Sequence, residues 1–76
     1  MPAPSLDATV LLELARARMP FGKYQGRALV RLPEHYLVWF SRVGFPPGKL
    51  GQQLALALEL KTNGLEHLVT ALAPAE

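Results

Sequence analysis

Apolar residues recur at the three- and four-residue spacing of an α-helix in four stretches of the chain, and this periodicity predicts four helices. In the first stretch Leu11 and Leu14 share a face, and Asp7 precedes them where its side chain can cap the first turn. Pro20 lacks the backbone donor that a continuing helix needs. The first helix is therefore expected to begin at Asp7 and to stop before Met19.

The second predicted helix carries half of the aromatic residues of the chain. Pro33 suits its first position, Glu34 its positively charged end, and Gly44 its C-terminal cap. One broad face contains Tyr36, Leu37, Trp39, Phe40 and Val43. The pattern predicts a helix that packs on the core, with Trp39 and Phe40 among the buried residues.

The third predicted helix begins near Lys49 or Leu50, runs to Thr62 or Asn63, and is rich in leucine. Its leucines cover an arc of roughly 200°, which is wider than a surface helix needs. We therefore expect burial from two sides or self-association through this helix. The candidate self-association residues are Leu50, Leu54, Leu56, Leu58 and Leu60.

Between the first two helices, residues 20–32 change to short apolar segments around a Tyr-Gln-Gly-Arg turn, a pattern typical of a small β-hairpin. A short fourth helix is predicted from Leu65 to Leu72 by its apolar spacing. The predicted fold class is mainly α (α+β), with a helix, a short β-hairpin and then three helices in one small domain. That domain spans residues 7–72, and residues 1–6 and 73–76 are expected to be flexible ends.

The chain has 76 residues, and a domain of this size buries only about 60% of the surface that its unfolded form exposes. The absence of cysteine removes disulfides, thiolate metal sites and thiol nucleophiles. The formal net charge of +2 is unevenly spread: residues 16–49 hold seven lysines and arginines against one glutamate, a net of +6. A basic middle segment predicts an anionic partner.

In this basic segment, cations alternate with aromatic rings, a mixture that can neutralise phosphates and stack on bases. DNA or RNA is therefore a predicted partner. The alternative is that the rings form the core and the cations form a solvated rim; Tyr24, beside the turn, is expected to be the most exposed ring. The candidate nucleic-acid-binding residues are Lys23, Tyr24, Arg27, Arg31, Arg42 and Lys49.

Gly48 and Lys49 form a second candidate anion site, since the free backbone donors of a helix start can hold a phosphate. The alternative is an ordinary helix start. His35 and His67 lie far apart in the sequence without a carboxylate cluster, and both are expected at the surface. No catalytic residue, metal site or cofactor is predicted, so we expect a protein that is not an enzyme.

No signal-peptide pattern is recognised at the start of the sequence, and the longest apolar run, residues 54–58, is far too short to span a membrane. The expected location is the cytoplasm, and no membrane partner is predicted. The second predicted function class is a protein-interaction or regulatory module that forms a homodimer or binds another protein.

The segment MPFGKYQGR at 19–27, followed by LPEHYLVWF at 32–40, resembles a small bacterial domain family of unknown function named putative quorum-sensing-regulated virulence factor. The resemblance continues through residues 45–51 and 63–65. The first half also resembles an accessory segment that follows some bacterial exonuclease domains. That context implies binding of nucleic acid rather than cleavage, and a non-enzymatic nucleic-acid-binding or nuclease-accessory module is the first predicted function.

Overall fold

The structure, a computed structural model, describes residues 8–73. The four predicted helices are present, although the fourth is shorter than expected. The predicted flexible ends at 1–6 and 73–76, apart from Ala73, and the predicted cap at Asp7 lie outside the described residues. The elements are α1 Ala8–Arg16, a 3₁₀ turn Leu29–Arg31, α2 Glu34–Val43, α3 Gly48–Thr62 and α4 His67–Thr70.

The predicted β-hairpin is wrong, because residues 8–73 contain no strand and only one isolated antiparallel bridge, between Arg18 and Ala28. Two backbone hydrogen bonds join Met19 to the far side of the loop: its N–H donates to the Arg27 carbonyl (2.8 Å), and its carbonyl accepts from Gly26 (2.7 Å). This part of the fold is therefore a closed loop, and the domain is all-helical apart from the bridge.

Burial explains why the second half of the predicted hairpin becomes a 3₁₀ turn. Successive strand residues point to opposite faces of a sheet, so a surface hairpin buries only alternate residues. Here the consecutive residues Ala28, Leu29 and Val30 are all at most 2% exposed, and Leu32 is fully buried. A tight helical turn inserted between helices can bury them together, whereas an exposed strand cannot.

The 3₁₀ turn lies at the centre of the core, where it packs against α1, α3 and α4. Around it, α3 packs on α2 and α1 packs on α4. α3 thus contacts both α2 and the 3₁₀ turn, with Leu54, Ala57 and Leu60 in the core. Each fully buried leucine contributes on the order of 1.5–3 kcal/mol relative to exposure.

α2 buries only part of its predicted apolar face. Leu37 and Phe40 are buried, as expected for Phe40, but Trp39 is 52% exposed, so its predicted burial is wrong. At 100° per residue, Trp39 lies 200° around the helix from Leu37. Within residues 8–73, α2 packs mainly on α3, and no other helix packs on the side of α2 that carries the indole.

The connection from α2 to α3 passes very close to the first turns of α3. The N–H of Gly44 caps α2 by donating to the Phe40 carbonyl at 2.8 Å. Gly51, buried in the first turns of α3, faces the connecting segment, and a Cβ at that position would lie 1.8 Å from the Pro46 carbonyl oxygen. Only glycine allows the helix and the connector to approach this closely.

Candidate nucleic-acid interface

Residues 18–27 form a surface loop, called here the basic loop, whose shape depends on two glycines. Gly22 and Gly26 have φ angles of 78° and 86°, which residues with a side chain rarely adopt. The guanidinium of Arg18 donates to the Gly26 carbonyl at 2.8 Å and so holds the end of the loop. Local turn chemistry and one side-chain bond therefore present the loop in a defined conformation.

Three cations of the basic loop surround one shallow depression of about 380 Å³. Arg18, Lys23 and Arg27 line it, together with Tyr24, Gln25 and Gly26. Among residues 8–73, none of those that line the depression carries a carboxylate, and the three cationic residues are exposed. The depression therefore attracts anions.

A chain of aromatic rings connects the basic loop to α2. The Tyr24 ring lies 4.7 Å from that of Tyr36, and Tyr36 lies 6.1 Å from Trp39 in a nearly parallel arrangement. The ammonium of Lys23 lies 5.6 Å from the centre of the Tyr24 ring. Because Tyr24 is packed between these neighbours it is half-buried, and the prediction that it is the most exposed ring is wrong: Phe21 and Trp39 are more exposed.

The outer end of the ring chain opens into a second depression, of about 450 Å³, on α2. It is lined by Glu34, His35, Val38, Trp39 and Arg42. His35 is exposed as predicted, and so is His67 on α4. The structure thus brings Lys23, Tyr24 and Arg27 together and connects them through rings to Arg42.

Two of the predicted phosphate-binding cations lie apart from these depressions. Arg31 is exposed at the end of the 3₁₀ turn and lines neither of them. Lys49 forms an ion pair with Glu13 of α1 at 3.0 Å. A phosphate at the predicted Gly48–Lys49 site would compete with that carboxylate, although the pair is largely exposed and contributes on the order of 0–1 kcal/mol.

The leucines predicted to mediate self-association mostly fill the core. Leu54 and Leu60 are fully buried, and Leu50, Leu56 and Leu58 are partly buried against the core. Within residues 8–73, the large exposed hydrophobic residues lie outside α3: Leu12, Phe21, Trp39, Val43, Leu68 and Leu72. Dimerisation through α3 stays a prediction, restricted to the exposed parts of its half-buried leucines.

Sequence reasoning missed two residues of this interface. Arg18 is not among the predicted binding residues, although its position just before the glycine-containing turn is a signal for loop contact. The sequence predicts Trp39 in the core because it falls on the broad apolar face of the second helix, although it lies at one edge of that face. Over residues 8–73, no group of three or more histidines and carboxylates is placed to hold a metal ion, and no helix is long and apolar enough to cross a bilayer.

These features define a small helical domain with a basic, glycine-shaped loop and an exposed aromatic residue beside it. The chain belongs to the family described as "Putative quorum-sensing-regulated virulence factor", whose model matches residues 7–72. The predicted family resemblance is thereby confirmed, and it extends to the first helix.

Two similar proteins are the uncharacterised protein YpeB of Escherichia coli strain K12 and the protein of the same name in Escherichia coli O157:H7. Each is 54% identical over 68 residues, which cover 88% of this chain and 94% of the relative. No solved structure matches the chain. The exonuclease-associated segment stays a resemblance suggested by sequence alone.

Proposed function

We propose that the protein is a non-enzymatic nucleic-acid-binding or nuclease-accessory module and that its basic loop binds phosphate groups. The observation that carries this proposal is the convergence of Arg18, Lys23 and Arg27 on one depression. Small-molecule sites are usually concave and bury most of the ligand. This depression is shallow, so it suits a linear polyanion better. The net charge of +6 over residues 16–49 adds long-range attraction in the same direction.

The cations of the loop have complementary tasks in this proposal. Arg18 bonds to Gly26 through one guanidinium nitrogen, and the remaining donors of its planar fork are suited to a phosphate. Lys23 supplies a compact charge at the rim, beside the Tyr24 ring. Each phosphate contact should contribute about 0.7 to 0.9 to the slope of log affinity against log salt concentration.

The resemblance of residues 19–39 to a segment that follows exonuclease domains supports the same proposal. In that setting the loop would hold nucleic acid while a separate domain carries out cleavage. The self-association alternative has weaker support, because the leucines on which it depends are buried in the core or partly buried against it.

The test is a titration of fluorescein-labelled DNA and RNA, single-stranded and duplex, with the full chain at about 50 and about 200 mM salt. Lys23→Ala should weaken binding and lower the salt slope by about 0.7 to 0.9. Lys61→Ala is the matched control, since it removes the same charge from a lysine that is paired with Glu66 and is not a candidate binding residue. Equal effects of the two substitutions, or no binding at low salt, would contradict the proposal.

A further inference from the structure

Trp39 packs against two neighbouring rings although half of its surface is exposed. The Tyr36 ring lies nearly parallel to it, at 12°, and Phe40 packs against it at 5.0 Å in an edge-to-face arrangement. Two neighbouring rings therefore restrict the indole before any ligand arrives. A ligand that stacks on a restrained ring loses less conformational entropy than one that must order it.

Cationic groups lie at both ends of the ring chain that contains Trp39. Arg42 shares the depression on α2 with the indole, and Lys23 lies over Tyr24 at the opposite end. Single-stranded nucleic acids bind surfaces of this kind, in which cations follow the backbone and aromatic rings stack with bases. The order of charge and ring along this surface thus resembles the alternation of phosphate and base along one strand.

Glu34, His35 and Val38 also line the depression beside the exposed indole. A carboxylate repels phosphate, which places the backbone toward Arg42, but it can accept a hydrogen bond from the amino group of a base. Base edges and faces are accessible together only when the base is unstacked, as in a single strand. A duplex would have to be opened before its bases could reach Trp39.

We infer that the nucleic acid bound by this interface is single-stranded and that one of its bases stacks on Trp39. The inference rests on the proposed function, since it takes the phosphate contacts of the basic loop as given. It adds a substrate class and assigns the recognition of the base to an exposed residue of α2.

The experiment measures fluorescence anisotropy of three labelled probes of about 12 units: oligothymidine, an abasic strand of the same length, and a duplex. The full chain is compared with Trp39→Ala, Trp39→Phe and Val43→Ala. Val43 is the matched control, because it is an exposed apolar residue on the same helix, 60% accessible. Circular dichroism of each variant verifies that the fold is retained.

Trp39→Ala should weaken oligothymidine binding about 5- to 150-fold. Its affinity for the abasic strand should not change, since stacking needs a base. Trp39→Phe should restore most of the affinity, and Val43→Ala should change it little. The salt slope should stay constant in Trp39→Ala, because no charge is lost.

Two results would overturn the inference while the proposed function stands. One is equal affinity for oligothymidine and the abasic strand with a salt slope that depends on Lys23. The other is duplex binding as tight as single-strand binding with the same dependence on Lys23. Failure to bind any probe at low salt would overturn the proposed function itself, and with it the inference.

Discussion

Replacing Gly51 by alanine should destabilise the domain, although helix propensity predicts the opposite effect. Alanine is favoured over glycine inside a helix by about 1 kcal/mol. In this fold, however, the new Cβ would lie 1.8 Å from the Pro46 carbonyl oxygen and 3.0 Å from the carbonyl carbon. A separation below 3.0 Å is essentially never seen for a Cβ atom, so α3 and the connector would have to move apart by more than 1 Å.

The size of the destabilisation depends on which atom the new Cβ would clash with. The obstacle belongs to the backbone, and it cannot rotate away as the end of a flexible side chain would; the next residue, Pro47, further stiffens the connector. Overpacking of a well-packed site costs about 1–3 kcal/mol and occasionally more. With a penalty near the upper end of that range and the gain in propensity subtracted, the net loss is about 2 kcal/mol. For a domain of this size, that corresponds to a fall in Tm of about 8–16 °C.

Urea unfolding followed by the fluorescence of Trp39, the only tryptophan of the chain, measures this loss, and a thermal melt followed by circular dichroism measures Tm. Gln52→Ala is the matched control: it changes an exposed residue next to Gly51 on α3, so its effect should stay within about 0.5 kcal/mol. A Gly51→Ala protein as stable as the original chain, or more stable, would refute the reasoning. It would mean that the connector can move away from α3 without loss of stability, and that helix propensity determines the effect of the substitution.

Further predictions concern the core, the loop and the surface. Leu29→Ala should lower the free energy of unfolding by about 2–5 kcal/mol, because it leaves a cavity at the centre of the core. Leu12→Ala, on the surface of α1, should lower it much less. Similar urea midpoints for the two variants would contradict the central position of the 3₁₀ turn. Gly22→Ala should cost about 1–2 kcal/mol through its left-handed backbone, and an unchanged melting temperature would show that the loop conformation is not required. A double-mutant cycle on Glu13 and Lys49 should give a coupling below about 1 kcal/mol, and a clearly larger value would indicate an ion pair better shielded from solvent than its exposure implies.

The helices could be predicted from the sequence because their signals are local. Apolar spacing identified each helix, and residues that stop a helix, such as Pro20 and Gly44, set most of the limits to within a residue or two. The family could also be identified from the segments at 19–27 and 32–40, and the match over residues 7–72 confirms it.

The segment that follows the basic loop could not be assigned from local signals. Leu29 and Val30 have side chains that suit a strand as well as a buried turn, and their periodicity does not separate the two. The choice depends on whether neighbouring helices leave room to bury consecutive residues. Only the packing of α1, α3 and α4 around this segment decided it.

Some features of the candidate interface could likewise be predicted from the sequence, and others depend on the tertiary structure. Sequence alone determined that this chain is a small helical domain with a basic middle segment and glycines that turn it. Tertiary structure alone decided that Arg18 joins Lys23 and Arg27 at one depression, that Trp39 is exposed, and that Gly51 must lack a side chain. The physical reason is that charge and backbone preference belong to single residues and short segments. Whether cations converge, whether a ring is exposed and whether two backbone segments approach closely all depend on which residues, distant in sequence, the fold places next to each other.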